Sequence, residues 1–333
     1  MPRALVTGGT GFIGSHVVRR LLKEKIRVRC LIRAASNRSN LNGLEVEYVI
    51  GDLREPESLR LALRDCDWLF HAAADYRIWS RYAADMQATN VDGTRALFQA
   101  AGDVHIQKIV YTSSVAAVGR PMTDGVTGIG NETLDPTPRQ LTGAYKRTKF
   151  EADRLARDFA RQGLPIVIVN PAAPIGSHDI KPTPTGRIIL DFLNGKMPAY
   201  IDTGMNFVDV EDVAAGHWLA AEKGRAGERY ILGHKNMTLK EFLVLLAKVA
   251  KKPAPRIRIP YPIAWIAGAL STGLSTITGH EPAIPLDGVR MARTPMYYDP
   301  GKAVQELGLP QTAVETALWK AVAWFRMNGY VRS

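Results

Sequence analysis

Short apolar runs alternate with stretches that place an apolar residue every three or four positions, so the first half of the chain predicts strands interleaved with helices. The runs Ala4 to Val6, Arg27 to Ile32, Val46 to Ile50, Trp68 to His71, Lys108 to Thr112 and Ile166 to Val169 read as strands. Helical spacing covers Phe12 to Lys23, Pro56 to Arg64, Asn90 to Ala101 and a segment opening at Tyr145. Ile166-Val167-Ile168-Val169 has no polar face, which suits a strand covered on both sides. The fold class this predicts is α/β, a doubly wound parallel sheet with a smaller C-terminal lobe.

Beyond Pro171 the texture changes to loops rich in Pro and Gly, such as Lys181-Pro182-Thr183-Pro184-Thr185-Gly186, with helices at Leu239 to Ala250 and Ala313 to Asn328. The expected division is residues 1–175 for the sheet domain and 176–333 mainly for a substrate lobe, with 207–233 returning to the sheet. Pro260 to Gly279 is largely apolar, but Ser271, Thr272, Ser275, Thr276 and Thr278 interrupt it and leave it short of a spanning helix. Its core, Ile263 to Leu270, is apolar almost all round and predicts a buried helix, a greasy lipid entrance being the alternative.

The strand Ala4 to Val6 runs directly into Thr7-Gly8-Gly9-Thr10-Gly11-Phe12-Ile13-Gly14 and then a helix. Gly9, Gly11 and Gly14 fit G-x-G-x-x-G, and Gly8, Gly11 and Gly14 fit the variant with a longer first interval. Glycines there let the backbone approach a pyrophosphate, which sits at the positive end of the helix dipole. The expectation is a Rossmann dinucleotide pocket.

Bulk composition narrows the rest. A chain of 333 residues with 46% hydrophobic content can bury a large core. Two cysteines, Cys30 and Cys66, are too few for a disulfide framework, and the seven histidines show no ligand spacing, so neither staples nor a metal are expected. No signal peptide is readable in Met1-Pro2-Arg3, so a cytoplasmic protein is expected. The net charge of +11 is spread along the chain rather than clustered with aromatics, which argues against nucleic acid and leaves room for anionic lipid or phosphorylated ligands.

Tyr145 and Lys149 stand four apart at the start of a helical pattern and so share one face. An ammonium near a phenol favours the phenolate and brings proton transfer closer to neutral pH. Ser114 follows the strand ending Thr112-Ser113 and would reach the same cleft, where its hydroxyl can hold a carbonyl oxygen.

With these pieces the chain resembles the extended short-chain dehydrogenase/reductase superfamily over essentially its whole length. The resemblance is carried by the glycine turn, Gly51-Asp52-Leu53, His71-Ala72-Ala73-Ala74, Asn90-Val91-Asp92-Gly93-Thr94, Thr112-Ser113-Ser114 and Tyr145-x-x-x-Lys149. Within it the chain is similar to the dihydroflavonol-reductase-like branch. Phe70 to Trp79 and Asp179 to Arg187 look like the hopanoid-associated sugar epimerase family, whose members are bacterial and linked to the making of hopanoid lipids.

The resemblance implies Tyr145 as acid/base, Lys149 as its modulator and a ligand of the nicotinamide ribose, and Ser114 as the group polarising the substrate oxygen. By the same match Gly8, Thr10, Gly11, Phe12, Ile13 and Gly14 take the pyrophosphate, and Asp52 and Leu53 lie beside the adenine. Ala72, Ala73 and Ala74 follow ribose and phosphates, Thr112 also touches the cofactor, and Pro171, Ala173, Pro174 and Ile175 wall the nicotinamide. Pro174 departs from the commoner pattern because it lacks the N–H offered to a carboxamide. Proteins of this kind also admit a homodimer through two helices.

Cofactor choice follows from charge. NAD users carry an acid about 20 residues after the glycine turn, whereas this chain ends its second strand Leu31-Ile32-Arg33 with Asn37 and Arg38 following. A guanidinium pairs with phosphate oxygens, so NADP(H) is expected with NAD(H) as the alternative. NADPH suits net reduction of a carbonyl, whereas the hopanoid-associated resemblance points to sugar epimerisation with a retained cofactor; a nucleotide-sensing protein without turnover would lack the Ser114, Tyr145, Lys149 set. For the substrate, Tyr76 and Trp79 in Asp75-Tyr76-Arg77-Ile78-Trp79 could stack on a ring, or pack the lobe. Lys181 and Arg187 could bind phosphate or polyol, or be solvated. The partner expected is a small or lipid-linked molecule, with peripheral contact at the inner face of the membrane as a further hypothesis.

Overall fold

The computed structural model describes residues 1–76, 79–123 and 126–331; Arg77 and Ile78 of the aromatic and basic cluster lie outside them. The frame consists of β1 (Arg3–Thr7), β2 (Arg27–Ile32), β3 (Glu47–Ile50), β4 (Trp68–His71), β5 (Lys108–Thr112) and β6 (Ile166–Pro171). Two short strands, β7 (Ala173–Ile175) and β8 (Gly204–Asp209), precede β9 (Arg229–Leu232) and β10 (Lys235–Thr238). Among the described residues a seven-stranded parallel sheet runs in the order β9-β6-β5-β4-β1-β2-β3. The order reverses at β1, between β4 and β2, so the carboxyl ends of β1 and β4 open a crevice.

Alternation along each strand supplies two cores. Val6, Phe70, Val110 and Val169 face α1 (Phe12–Lys23) on one side, while Leu5, Leu69, Ile109 and Ile168 face the other. That second face is covered by α2 (Pro56–Leu63), α3 (Gly93–Asp103) and α4 (Gly143–Arg161). The helix expected from Asn90 starts earlier, at Ala83, and passes through a wide π turn, Ala88–Asp92, before α3. The wide turn carries Asn90 inward, where its amide bonds both Asp75 and Thr148.

Of the segment expected back in the sheet, β9 does pair with β6, whereas β8 leaves it and forms a three-stranded sheet with β7 and β10. The cause is local. Pro171 ends β6 without an N–H, Ala172 donates to Leu232, and the chain then steps into the second sheet. A third core lies in the C-terminal lobe, where α5 (Pro184–Leu193), α7 (Leu239–Ala250) and α10 (Val314–Met327) pack around Phe207 stacked on Phe242 at 4.2 Å, with α6 (Val210–Lys223) behind the main sheet.

The apolar tract forms α8 (Tyr261–Thr278), followed by α9 (Leu286–Met291), and its expected burial is overturned. Only Ala264, Gly268 and Ser275 of α8 are buried, and Gly268 lets the helix close on Val289 and Leu286 of α9. Small residues therefore point in and large apolar ones out. Among the described residues no helix is long and apolar enough to cross a membrane.

Candidate active site

The turn after β1 is built for close approach. Gly8 has φ +71°, and a Cβ there would sit 2.6 Å from the Ala73 nitrogen; a Cβ on Gly14 would sit 2.1 Å from the Gly8 carbonyl. The turn is held by Gly11 N–H donating to Gly8 O at 2.9 Å. At the start of α1 the N–H groups of Phe12, Ile13 and Gly14 have no acceptor within the helix, which leaves a positive end facing the crevice. Ala72 and Ala73 lie against Gly8, and Thr7 Oγ1 accepts from Ala73 N at 3.2 Å. A dinucleotide fits this cradle: side chains at Gly8 and Gly14 would collide with the Ala72–Ala73 and Gly8 backbone and spoil the tight turn, and the donors face where phosphates would lie.

At the rim, Arg33, Asn37 and Arg38 are exposed beyond β2. Arg33 takes no ion pair through its guanidinium among the described residues, although its charge helps lower the Asp52 carboxyl. Asp52 is held chiefly by Arg54, which bonds both its oxygens at 3.0 and 2.8 Å, so that acid is already neutralised. Arg38 lies over the Tyr48 ring at 5.0 Å, and Asn37 caps the turn at Ser39. Leu53 is buried against the start of α3 and belongs to the core, which removes its side chain from the expected adenine wall.

The three catalytic candidates converge at the carboxyl edge of β5. Ser114 Oγ accepts from Ala116 N at 3.1 Å, which leaves its proton free, and its hydroxyl lies close enough to the Tyr145 phenol to lower it. Lys149 Nζ donates to the Thr112 carbonyl at 3.0 Å and lies 5.7 Å from the Tyr111 ring centre. Burial raises the Tyr145 phenol above its ordinary value, and Ser114 offsets only part of this. The expected lowering by Lys149 is not what this arrangement gives, because the ammonium itself is buried and pushed down to about 8, with Asp153 pulling the other way. Pro171, Ala173, Pro174 and Ile175 follow along β6 and β7, where Pro174 pairs with Val208.

Several supporting residues escaped sequence reasoning. His71 is fully buried, bonds Thr7 Oγ1 at 2.7 Å and Thr94 Oγ1 at 2.9 Å, and burial drives it down to about 3, so it is a neutral tie between β1, β4 and α3. Asn90 ties that cluster to α4 through Thr148 at 3.2 Å. Asp153, also buried, accepts from Ser113 at 2.6 Å and Asn170 at 3.1 Å, and pairs with Arg157 and Arg229. The motifs containing His71 and Asn90 were visible; their partners lie up to 64 residues away.

Tyr76 comes to the site, its ring edge-on to Tyr145 at 5.3 Å and its phenol, raised by burial, near Thr183 and Asp179. Thr183 donates from both N and Oγ1 to one oxygen of Asp179, at 2.9 and 2.8 Å. The other oxygen of Asp179 is buried with no hydrogen-bond partner among the described residues, and burial pushes the carboxyl up to about 6. Asp179, quoted in a motif but given no role, thus sits beside Thr183 and Tyr76 with one oxygen unbonded among the described residues. Trp79 is corrected: it is 5% exposed and packs edge-on to Tyr82, so it has no face left for a ring. Lys181 and Arg187 are exposed, Arg187 near enough to Asp179 to lower its carboxyl. Lys146, next to Tyr145, is buried beside Arg120 and pushed down to about 8 by burial and by that like charge.

Comparison with known proteins agrees with this geometry. The family described as NAD dependent epimerase/dehydratase matches residues 4–233. A Synechocystis protein named as a dihydroflavonol 4-reductase is 45% identical, covering 98% of this chain and 96% of its own length. Sterol demethylase protein B of Methylococcus capsulatus is 36% identical, over 98% of this chain and 99% of its own. The crystal structure of gox2253 superposes with a TM-score of 0.87 at 40% identity over the whole of both chains.

Proposed function

Because the chain belongs to the NAD dependent epimerase/dehydratase family, and so to the NAD(P)-dependent enzymes of the extended short-chain type, we propose that it uses NADPH to reduce a carbonyl on a sugar- or polyol-like substrate carried on a lipid, of the hopanoid class its motifs resemble. The observation carrying this reading is the convergence of Ser114, Tyr145 and Lys149, the last anchored on the Thr112 carbonyl at 3.0 Å, at the mouth of the glycine-lined crevice. Residues 1–175 hold the dinucleotide and 176–333 mainly the substrate. Gly8 to Gly14 and Ala72 to Ala74 take pyrophosphate and ribose, and Arg33 takes the 2′-phosphate. When bound, the nicotinamide supplies the hydride.

The chain's own residues do the rest. Ser114 orients the carbonyl oxygen, and Tyr145, whose raised pKa keeps its proton at neutral pH, delivers that proton to the same oxygen. Lys149, anchored on the Thr112 carbonyl, holds the ribose and restores the proton. Tyr76 and the open oxygen of Asp179 receive substrate hydroxyls. The preference for NADPH rests on an exposed Arg33 with no ion pair among the described residues and on an Asp52 already occupied by Arg54.

A second reading, epimerisation with retained cofactor, is favoured by the family's own description. One measurement separates the two. Net reduction consumes NADPH in proportion to substrate, read as loss of absorbance at about 340 nm; epimerisation leaves that signal level while the product changes configuration. A panel of polyhydroxylated aldehydes and ketones, free and lipid-linked, provides the substrates.

A further inference from the structure

Helix α8 is inverted. Ile263, Ile266, Leu270, Leu274 and Ile277 recur at intervals of three and four, so they form one stripe, and they are 58, 54, 70, 62 and 86% exposed. The inward positions are Ala264, Gly268 and Ser275. An 18-residue helix is about 27 Å long. A ridge of large aliphatic side chains that long is not left to water without a reason.

Charge says what covers it. Residues 251–293 hold six basic side chains against two acidic ones. Cations stand at both ends of the stripe: exposed Arg293 lies 5.9 Å from the Tyr261 ring at its start, and Arg81, from outside that segment, donates to the Gly279 carbonyl at its end. Arg256 is exposed just before it. A second copy packed on the stripe by a two-fold axis would set these cations against their like, in a chain already at +11. An anionic bilayer surface takes both features together, the aliphatic ridge at the acyl boundary and the arginines among the headgroups.

We propose that α8 lies in the plane of an anionic membrane and docks this enzyme there. The α8–α9 hairpin adjoins both lips of the cleft. Arg81 lies five residues after Tyr76, whose ring meets Tyr145, and Asp287 of α9 lies 3.2 Å from where a Cβ of Gly143 would stand, at the first turn of α4. A substrate held by the bilayer therefore reaches Tyr145 from the docked side. This access rests on the lipid-linked substrate proposed above; the docking itself does not.

The test is flotation of the full-length protein with vesicles of phosphatidylglycerol and phosphatidylcholine at 3:7, and with phosphatidylcholine alone, at low and high salt. The wild type is expected to float with the anionic vesicles at low salt and to be released by salt. Leu270→Ser/Leu274→Ser/Ile277→Ser, all at exposed positions, should cut vesicle binding about tenfold or more while keeping the wild-type thermal melt and NADPH affinity. Arg256→Gln/Arg293→Gln should lose the salt-dependent part. No flotation of folded wild type at low salt overturns the proposal, as does equal binding by the triple variant. So does light scattering that shows a wild-type dimer and a monomeric triple variant, since the stripe is then covered by a second copy. None of these readouts uses turnover, so a failed reductase assay leaves the docking result standing.

Discussion

The crevice around Tyr145 and the hairpin of α8 and α9 break the inside-outside rule in opposite directions. At the crevice, histidine, lysine, aspartate and asparagine are buried, and nearly every one is matched: His71 with two hydroxyls, Lys149 with a carbonyl, Asp153 with Ser113 and Asn170. At the hairpin, isoleucines and leucines stand in water while glycine and serine are packed away. Buried polar groups are kept only where partners are supplied, and exposed apolar stripes only where something else covers them. Both departures therefore mark places where folding alone does not explain the residue.

If that contrast is right, substitutions should weigh differently in the two regions. The largest effect belongs to Tyr145→Phe, which keeps the ring against Tyr76 and removes the proton: kcat should fall by about 10³-fold with NADPH affinity nearly unchanged, checked by steady-state rates and fluorescence titration. Unchanged kcat would take Tyr145 out of the mechanism.

Next comes Asp179→Asn, which probes a buried carboxyl with one open oxygen. Its native pKa, pushed up to about 6, lies above the value near 4 of an unfolded chain, so the native state binds the extra proton. The Asp179 contribution to stability is then most favourable below pH 4, falls as pH rises from 4 through 6, and carries the full penalty above that. The asparagine variant should gain on the order of 3 kcal/mol at pH 8 and little at pH 4, while losing activity on hydroxylated substrates. Melts across that range decide it, and a pH-independent difference would sink the account.

Arg33→Asp should move the NADPH to NADH affinity ratio toward NADH by on the order of 2 kcal/mol, or about 30-fold, since a charge-assisted pair is lost and repulsion added. Cutting the tie between the crevice and α4 with Thr148→Val should cost about 1 kcal/mol in denaturant unfolding, because Asn90 keeps its other bonds. The smallest change is expected at the hairpin, where Leu270→Ser should leave stability within about 0.5 kcal/mol. A large loss there would mean that the stripe is part of a core after all, and would erase the contrast.

The sheet and the cofactor turn were legible because strand and helix periods and the glycine spacing are local signals. Ile166 to Val169 announced a covered strand, and Tyr145 with Lys149 a shared helix face. The partners of His71 were not legible, since Thr7 is 64 residues from it and only the register of β1 against β4 brings them together. The α8 stripe was misread for a related reason. Apolar content says that a surface avoids water and is silent about what replaces the water, so burial in the chain and burial in a bilayer look alike. Trp79 was misplaced because a side chain after β4 can turn to either side of its loop, and here Tyr82 took it.

Gly8 joins two tasks at one atom. Its α-carbon hydrogen points at the backbone between Ala72 and Ala73, so any side chain would wedge β1 from β4 at the joint where the nucleotide crevice begins. In a saturation library scored separately for abundance and for turnover, position 8 should therefore drop out of both screens at once, whereas position 145 should vanish from the second alone.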